Sequence, residues 1–153
     1  MTSTKKSQEM ESVLKLDQYW PYLVTVLADR IARRTSALVK AEGLNLSQWR
    51  VLAALADVPG RSAMEVVNIT PMDKGIVSRA TKMLLHHGLI RKESSSVDGR
   101  MSHLHLTEAG HRLYQRLRPQ VSALLQVSSL SSEENALLPK ILHQLIDALP
   151  DSR

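Results

Sequence analysis

The fold of this chain is decided by the stretch Thr70-Pro-Met-Asp-Lys-Gly-Ile-Val-Ser-Arg-Ala-Thr-Lys-Met-Leu-Leu-His-His-Gly88. Its pattern predicts one helix, called here the recognition helix, with both ends marked. Thr70 is the expected N-cap, followed by Pro71 at the first helical position and Asp73 at the third, close to a capping box. Gly88 is the expected stop, because glycine accepts the positive φ that commonly follows the end of a helix.

The two sides of this helix differ in chemistry when residues are placed about 100° apart. One side is mainly apolar and carries Ile76, Val77, Ala80, Met83, Leu84 and His87. The other side is small, hydroxylated and cationic and carries Lys74, Gly75, Ser78, Arg79, Lys82 and His86. The first side predicts a core contact. The second suits a helix that enters a DNA groove, with an ordinary solvated helix face as the alternative.

The residues around this helix complete a recognisable layout. Ser62 and Glu65 form the capping box of a short preceding helix that is expected to end near Ile69. Two strands are expected after the recognition helix, at 89–93 and 101–106, with a polar hairpin tip between them. A helix, a turn, a second helix and a basic hairpin together predict a winged helix-turn-helix.

Length and composition narrow the class of protein. The 153 residues suggest a single unit covering 1–153, and an apolar fraction of 43% is sufficient for a core. The net charge of +5 suits a polyanionic partner. The chain has no cysteine, which excludes disulfides and thiol sensing. The polar start of the chain does not resemble a signal peptide, and no apolar run reaches the roughly 18 residues that span a bilayer, so we expect a cytoplasmic protein without membrane contact.

Two helices are expected before the helix-turn-helix, one long and one short. The first should run from about Asp17 or Pro21 to Ala41, because its apolar residues repeat at helical spacing. The second should begin with Ser47 as its N-cap, with Leu46 packing against Val51.

Two more helices are expected after the wing. Thr107 should cap a helix that runs to about Val127, and a capping box at Ser131 should begin the last one. Pro119 and Pro139 lie within these two patterns and are expected to kink or interrupt the helices.

The amount of apolar surface in each part of the chain indicates the role of that part. A winged helix needs only residues 45–107. Residues 13–44 and 108–150 hold more leucine than one small domain can cover, so they are predicted to pack together and against a second copy as dimerisation helices. The expected fold is therefore mainly α with a small β wing.

Over about residues 20–149 the chain resembles the MarR (multiple antibiotic resistance regulator) family of transcription factors. The segments that carry this resemblance are Ser47-Gln-Trp-Arg-Val-Leu52, Lys74-Gly-Ile-Val-Ser-Arg79, Gly88-Leu-Ile-Arg91, Asp98-Gly-Arg100 and Leu106-Thr-Glu-Ala-Gly110. The chain departs from the family at Gly75-Ile76, where Ser-Thr often follows the lysine. The resemblance implies a homodimer that binds a pseudo-palindromic operator, usually as a repressor released by a small ligand. It also implies that Arg100 enters a minor groove and that Asp98 shapes the wing.

The candidate site residues fall into two groups. Those expected to bind double-stranded DNA are Thr70, Lys74, Gly75, Ser78, Arg79, Lys82, Arg91, Lys92, Asp98 and Arg100. Those expected to bind a small effector, between the long first helix, the second helix and the Thr107 helix, are Tyr22, Trp49 and Arg50. Aromatic carboxylates or their thioesters are the expected ligands, mainly by family analogy. Trp49 has a plain core role as its alternative.

Other functions are also compatible with parts of this pattern. The residues His86, His87, His103 and His105 invite a zinc site, but they lack neighbouring thiols or a carboxylate at ligand spacing, so a structural or surface role is expected. No nucleophile and base can be paired from the sequence, so neither an enzyme nor a cofactor is expected. The alternatives to a specific regulator are a winged-helix protein–protein module and a non-specific basic nucleic-acid-binding protein.

Overall fold

The computed structural model describes residues 14–95, 101–126 and 129–151. Its elements, in chain order, are α1 (Trp20–Lys40), α2 (Leu46–Asp57), α3 (Ala63–Ile69), α4 (Lys74–His86), β1 (Ile90–Ser94), β2 (Ser102–Leu106), α5 (Glu108–Leu124) and α6 (Ser132–Ala148). Helices α3 and α4 with the β1–β2 hairpin form a winged helix-turn-helix, which confirms the predicted fold class.

The recognition helix begins later than its sequence pattern suggests. Asp73 is the N-cap of α4, and its carboxylate accepts a 2.7 Å hydrogen bond from the Ile76 N–H. Thr70 instead ends α3, where its hydroxyl donates a 2.6 Å bond to the Val66 carbonyl. The prediction of Thr70 as the N-cap is therefore wrong. Met72, in the turn between the helices, is almost completely buried. The turn places this side chain in the core, and the helix begins only after it.

The start of α2 also differs from the prediction. Asn45, not Ser47, is the N-cap, and it forms a reciprocal capping box with Gln48 in which both hydrogen bonds are 2.9 Å long. Gln48 is buried, so its amide needs a partner, and the Asn45 backbone N–H supplies one. The burial of Gln48, the third residue of α2, therefore favours Asn45 over Ser47 as the N-cap.

Several helix boundaries agree with their local signals. The capping boxes of Ser62 with Glu65 and of Ser131 with Glu134 are both present. Gly88 follows α4 with a φ of 68°, which confirms it as the residue that ends the recognition helix.

The two internal prolines do not interrupt their helices. Helix α5 continues through Pro119 and α6 continues through Pro139, so the predicted interruption is wrong, and a kink, the other expected effect, stays a prediction. Each proline removes one backbone donor, but both lie at exposed positions, where water can hydrate the carbonyl left without a helical partner. Helix α5 ends at Leu124, and Val127, the end expected from sequence, lies outside the described residues.

The wing is attached to the α2–α3 turn by backbone hydrogen bonds. Strands β1 and β2 are antiparallel, with Lys92 opposite Leu104. On the other edge of β2, the Leu104 carbonyl accepts a 3.0 Å bond from the Gly60 N–H, and the Leu104 N–H donates a 3.0 Å bond to the Arg61 carbonyl. The hairpin therefore has a fixed position relative to the helices beside it.

The buried core lies mainly in the winged-helix part, with further members in α1, the α1–α2 turn and α5. Its fully buried leucines come from α2, α4, β2 and α5 and are Leu52, Leu55, Leu84, Leu104 and Leu117. Helix α6 contributes no buried residue, and α1 buries only Thr35 and Val39. Both helices therefore keep exposed apolar faces. No helix in the described ranges is long and apolar enough to cross a membrane.

Candidate nucleic-acid interface

Helix α4 presents its polar side to solvent, as the sequence predicts. The exposed residues on this side are Lys74, Gly75, Ser78, Arg79 and Lys82. The buried stripe consists of Val77, Ala80, Thr81 and Leu84, at the spacing of one helix face. Met83 and His87, which were expected in the core, are exposed, and Thr81 is buried on the core side. The later start of the helix does not change which cations face outward.

A cleft opens between α3, α4 and the wing, and lysines line it. Its volume is about 450 Å³, and its cations are Lys74 and Lys82 from α4 and Lys92 from β1. Among the described residues that line the cleft, none is acidic. The recognition helix and the wing thus form one continuous basic surface, of the kind that meets a phosphate backbone.

Arg91 and Lys92, the two cations of β1 predicted to bind DNA, lie on opposite faces of the hairpin, because successive strand residues alternate. Lys92 faces the α4 cleft. Arg91 forms an ion pair with Glu93, and the Glu93 carboxylate also lies 3.2 Å from His105 Nε2. The hydrogen bond from Arg91 lowers the pKa of Glu93 below its ordinary value. Only Lys92 of this pair therefore belongs to the surface shared with α4.

The other predicted DNA-binding residues are in varied positions. Thr70 is partly buried, and its hydroxyl is already bonded to the Val66 carbonyl. Gly75 lies in the first turn of α4 without a positive φ, so its backbone conformation does not require glycine. Asp98 and Arg100, which were predicted to lie at the tip of the wing, are outside the described residues.

The three candidate effector residues have different surroundings. Trp49 is buried and stacks on Tyr114 of α5, with 5.5 Å between ring centroids and 20° between ring planes. Tyr22 is exposed on α1, and Arg50 is partly buried on α2. Trp49 therefore packs in the core, and its predicted contact with an effector stays a prediction.

A second cleft near this region is lined by a different set of residues. It has a volume of about 460 Å³, lies between the α1–α2 turn, the end of α4 and the start of α5, and does not include Tyr22, Trp49 or Arg50 in its lining. Its two guanidinium groups are already paired, Arg112 with Glu108 and Arg116 with Glu42. The hydrogen bond between Arg116 and Glu42 lowers the pKa of Glu42 and raises that of Arg116.

The wing histidines take part in local contacts. His103 Nδ1 lies 2.8 Å from the Gly60 carbonyl oxygen, and His105 lies beside Glu93. Within the described ranges, no group of three or more His, Asp or Glu side chains is arranged to hold a metal ion. These contacts connect the wing to the α2–α3 turn and to its own first strand.

Two polar residues that line the basic cleft, Thr81 and Ser102, were not among the predicted site residues. Ser102 shares a strand face with Leu104, and the strand alternation alone could have placed it beside Lys92. Thr81 is a hydroxyl residue in the buried stripe of α4, and its sequence position gives no sign that its side chain borders a cleft.

Comparisons with known proteins agree with this architecture. The sequence model of the MarR family matches residues 42–101. The regulator MgrA of Staphylococcus aureus, an HTH-type transcriptional regulator, is 31% identical over 113 residues, which cover 71% of this chain and 77% of MgrA. A MarR-family regulator from Silicibacter pomeroyi superposes with a TM-score of 0.81 at 25% identity, over 89% of this chain and 93% of the other. PcaV of Streptomyces coelicolor, solved with its natural ligand, gives 0.73 at 25% identity, over 91% and 99%.

Proposed function

The chain belongs to the MarR family of transcriptional regulators, and we propose that it is a homodimeric repressor that binds a pseudo-palindromic operator and is released by a small ligand. The observation that carries this proposal is the basic surface of α4 and the wing. Four cations lie there on exposed positions, Lys74, Arg79, Lys82 and Lys92, and the cleft between the two elements has no acidic residue in its described lining. Such a surface attracts the phosphate backbone of DNA.

The proposed contacts follow from the geometry of winged helix-turn-helix proteins. Helix α4 enters a major groove, where Ser78 and Arg79 reach base edges and Lys74 and Lys82 meet phosphates. Gly75 lets the backbone of α4 approach the DNA closely. The wing lies over the neighbouring minor groove, which Arg100 enters because a narrow minor groove attracts arginine, and Asp98 shapes the tip.

The proposed dimer is supported by the helices outside the winged-helix part. Leu23, Leu27 and Ile31 are exposed along α1, and Ile141 and Ile146 are exposed along α6. A helix of 17 residues such as α6 gains most of its stability from packing an apolar face, yet it buries none of its residues within its own chain. A second copy, related by a two-fold axis, would cover these faces and set the two α4 helices about one turn of DNA apart.

The proposed ligand is an organic anion, with aromatic carboxylates and their thioesters as the first candidates. The excess of cations over acids supports an anionic ligand. PcaV, a relative in fold, was solved in complex with its natural ligand, which supports the binding of a ligand by this architecture.

Two measurements test the proposal. Light scattering at micromolar concentration should give about twice 17.1 kDa, and a well-folded monomer would contradict the dimer. A gel shift should show tight binding to a duplex from upstream of the protein's own gene and weak binding to random duplex. Equal affinity for both would favour a non-specific nucleic-acid-binding protein, and no binding at low salt would favour a protein–protein module.

The direction of regulation needs its own test. A reporter gene placed behind the bound duplex should be silenced by the protein and restored when the ligand is added. Stimulation of the reporter by the protein would show an activator and would leave the DNA-binding part of the proposal intact.

A further inference from the structure

The segment that follows α6 lies beside the start of the recognition helix. We propose that this segment, residues 149–151 and called here the α6 extension, competes with DNA for that end of α4. Asp151 is the competing residue, because its carboxylate takes the place of a DNA phosphate near Lys74. The inference rests on the proposed DNA-binding function, and it adds a contact through which the proposed dimerisation helix α6 acts on the recognition helix.

The α6 extension and the helix-turn-helix line one cleft of about 580 Å³. The helix-turn-helix contributes Met64, Val67 and Asn68 from α3 and Asp73 and Lys74 from the start of α4, and Asp151 completes the described lining. Helix α6 buries none of its own residues, so it meets the helix-turn-helix with its end and not with a packed face. The cleft therefore brings a residue beyond α6 next to the first residue of the recognition helix.

Pro150 restricts where Asp151 can lie. Leu149 ends α6, and its N–H donates a 3.2 Å hydrogen bond to the Ile146 carbonyl. The ring of Pro150 then fixes the backbone φ at about −65°. The chain leaves α6 in a restricted direction, so Asp151 loses less conformational entropy near α4 than it would at the end of a flexible linker.

Lys74 borders two clefts that differ in charge. The basic cleft toward the wing is lined by Lys74, Lys82 and Lys92, and none of its described lining residues is acidic. The cleft toward the α6 extension has Asp73 and Asp151 in its described lining, with Lys74 as its cation. The basic surface proposed to bind DNA therefore ends at Lys74, where carboxylates offset its charge.

The two acids of this second cleft have different roles. The Asp73 carboxylate accepts the Ile76 N–H at 2.7 Å and caps α4, so the helix itself uses this charge. Asp151 belongs to no helix and is exposed. Its carboxylate can leave the cleft without uncapping α4, as a reversible competitor of DNA must.

Competition follows from the place of Lys74 in the first turn of α4. The N-terminal residues of a recognition helix approach DNA most closely, and the N-terminus of a helix attracts phosphate. A phosphate and the Asp151 carboxylate repel each other beside the same lysine. DNA would therefore release the α6 extension, and a movement of α6 that withdraws Asp151 would raise the affinity for DNA.

The first test compares the DNA affinity of the full-length parent with that of Asp151→Asn, which removes the charge and keeps the side-chain shape. Fluorescence anisotropy with the upstream duplex at low salt should show about two- to fivefold tighter binding by the variant, the effect of one exposed ion pair. The matched control is Asp147→Asn, because Asp147 lies one turn earlier on α6 and does not line the cleft. Its affinity should stay near that of the parent.

A double-mutant cycle identifies the cation for which carboxylate and phosphate compete. In a Lys74→Gln background, Asp151→Asn should no longer raise the affinity for the duplex, because that cation is absent. In a Lys82→Gln background the full increase should remain, since Lys82 lines the basic cleft and not the cleft of Asp151.

The contact itself can be tested without DNA. The chain has no cysteine, so two introduced cysteines are the only thiols. The double variant Asn68→Cys/Asp151→Cys should be joined within one chain by a short bismaleimide, and Asn68→Cys/Asp147→Cys should react more slowly. Mass spectrometry and a denaturing gel distinguish a link within one chain from a link between two chains. Addition of the upstream duplex should suppress the link.

The inference is overturned if Asp151→Asn binds the duplex like the parent, if Asp147→Asn raises the affinity equally, or if no link forms within one chain. An unchanged link in the presence of saturating duplex would also overturn it. A parent that binds no duplex refutes the proposed function and the competition together, whereas a parent that binds the duplex tightly but gives no link refutes this inference alone.

Discussion

The Thr107 hydroxyl donates a 2.7 Å hydrogen bond to the Gly88 carbonyl oxygen, and so joins the start of α5 to the end of the recognition helix. The same hydroxyl oxygen accepts a 3.1 Å bond from the Gly110 N–H and caps α5. The Thr107 N–H completes the junction with a 3.1 Å bond to the Leu89 carbonyl. Because both helices share this junction, the position of α4 is coupled directly to the helix that leads away from the winged-helix part.

Gly110 should be essential to this junction. A Cβ atom at Gly110 would lie 2.0 Å from the Leu89 carbonyl oxygen, which belongs to backbone and cannot swing away. We expect Gly110→Ala to lower the free energy of unfolding by about 3 kcal/mol or more, at the upper end of overpacking effects. Urea denaturation followed by circular dichroism measures this change.

The matched control for Gly110 is Gly75→Ala in α4. There the nearest atoms are 3.3 Å away and belong to the side chains of Arg79 and Asp73. Its effect on stability should remain within about 1 kcal/mol, since alanine is the better helix former and the contact with the cap offsets part of that gain. Equal destabilisation of the two variants would show that the Leu89 contact is not the cause.

The corrected start of α4 gives a second prediction. Asp73→Ala removes the carboxylate that accepts the Ile76 N–H, and we expect it to destabilise the protein by about 0.5–2 kcal/mol. Asp73→Asn should retain most of the stability, because the asparagine side chain also caps helices. Thermal unfolding of the two variants makes the comparison. If Asp73→Ala unfolds at the parent's temperature, Asp73 does not act as the cap.

Glu65 gives a prediction for pH. The backbone N–H of Ser62 donates to its carboxylate at 2.7 Å, and this bond, followed by one with the Ser62 side chain, lowers the pKa of Glu65 from its ordinary 4.5. Because the folded carboxylate has the lower pKa, its contribution to stability is present above pH 4.5 and is lost as pH falls through the folded value. We expect Glu65→Gln to lose less stability than the parent on acidification through this window.

Urea denaturation at a series of pH values from neutral down to the acid side of this window would show the difference. The control is Glu133→Gln, in the first turn of α6, which also removes one carboxylate near a helix N-terminus but leaves the Ser62–Glu65 capping bond intact. If the free energy of unfolding falls with pH equally in the parent and in Glu65→Gln, the capping bond does not have this role.

Lys82 tests the recognition helix as a DNA-binding element. If its ammonium group meets phosphate, Lys82→Ala should weaken binding to specific and random duplex to a similar degree. The slope of affinity against salt should also shrink by about one for each phosphate that the variant no longer neutralises. A salt titration by fluorescence anisotropy measures both quantities, with Lys40→Ala as the control lysine. An unchanged slope in Lys82→Ala would remove this residue from the interface.

Arg100 should behave differently because a wing reads groove width. We expect Arg100→Ala to weaken binding by about 1–3 kcal/mol, with discrimination reduced mainly at flanking A·T-rich positions. The same titration on flank-substituted operators would show this effect. Binding of every duplex as tightly as the parent would mean that the wing tip does not read DNA in this protein.

The features that the sequence alone predicts correctly are those whose interacting residues lie within one helical turn of each other. The capping boxes at Ser62 and Ser131 and the stop at Gly88 each depend on residues three or four positions away, so the local sequence determines them. The cationic side of α4 follows from helical periodicity. A later start of the helix leaves the same residues on that side.

Where two local signals compete, only the tertiary structure decides between them. Thr70 and Asp73 can each cap a helix, and the burial of Met72 in the turn assigns the role to Asp73. Asn45 prevails over Ser47 because its partner Gln48 is buried and must be satisfied. Such choices depend on the free energy of packing distant segments, which no window of sequence contains.

The surroundings of the site residues are also decided by the tertiary structure and not by the local sequence. Trp49 stacks on Tyr114, which is distant in sequence, and Leu104 pairs with the Gly60–Arg61 turn. Sequence periodicity could nominate Lys74, Lys82 and Lys92, but only the docking of the wing on α3 and α4 brings them into one cleft with Thr81. The sequence determined which side chains are cationic and which faces they occupy, and long-range packing decided which of them meet.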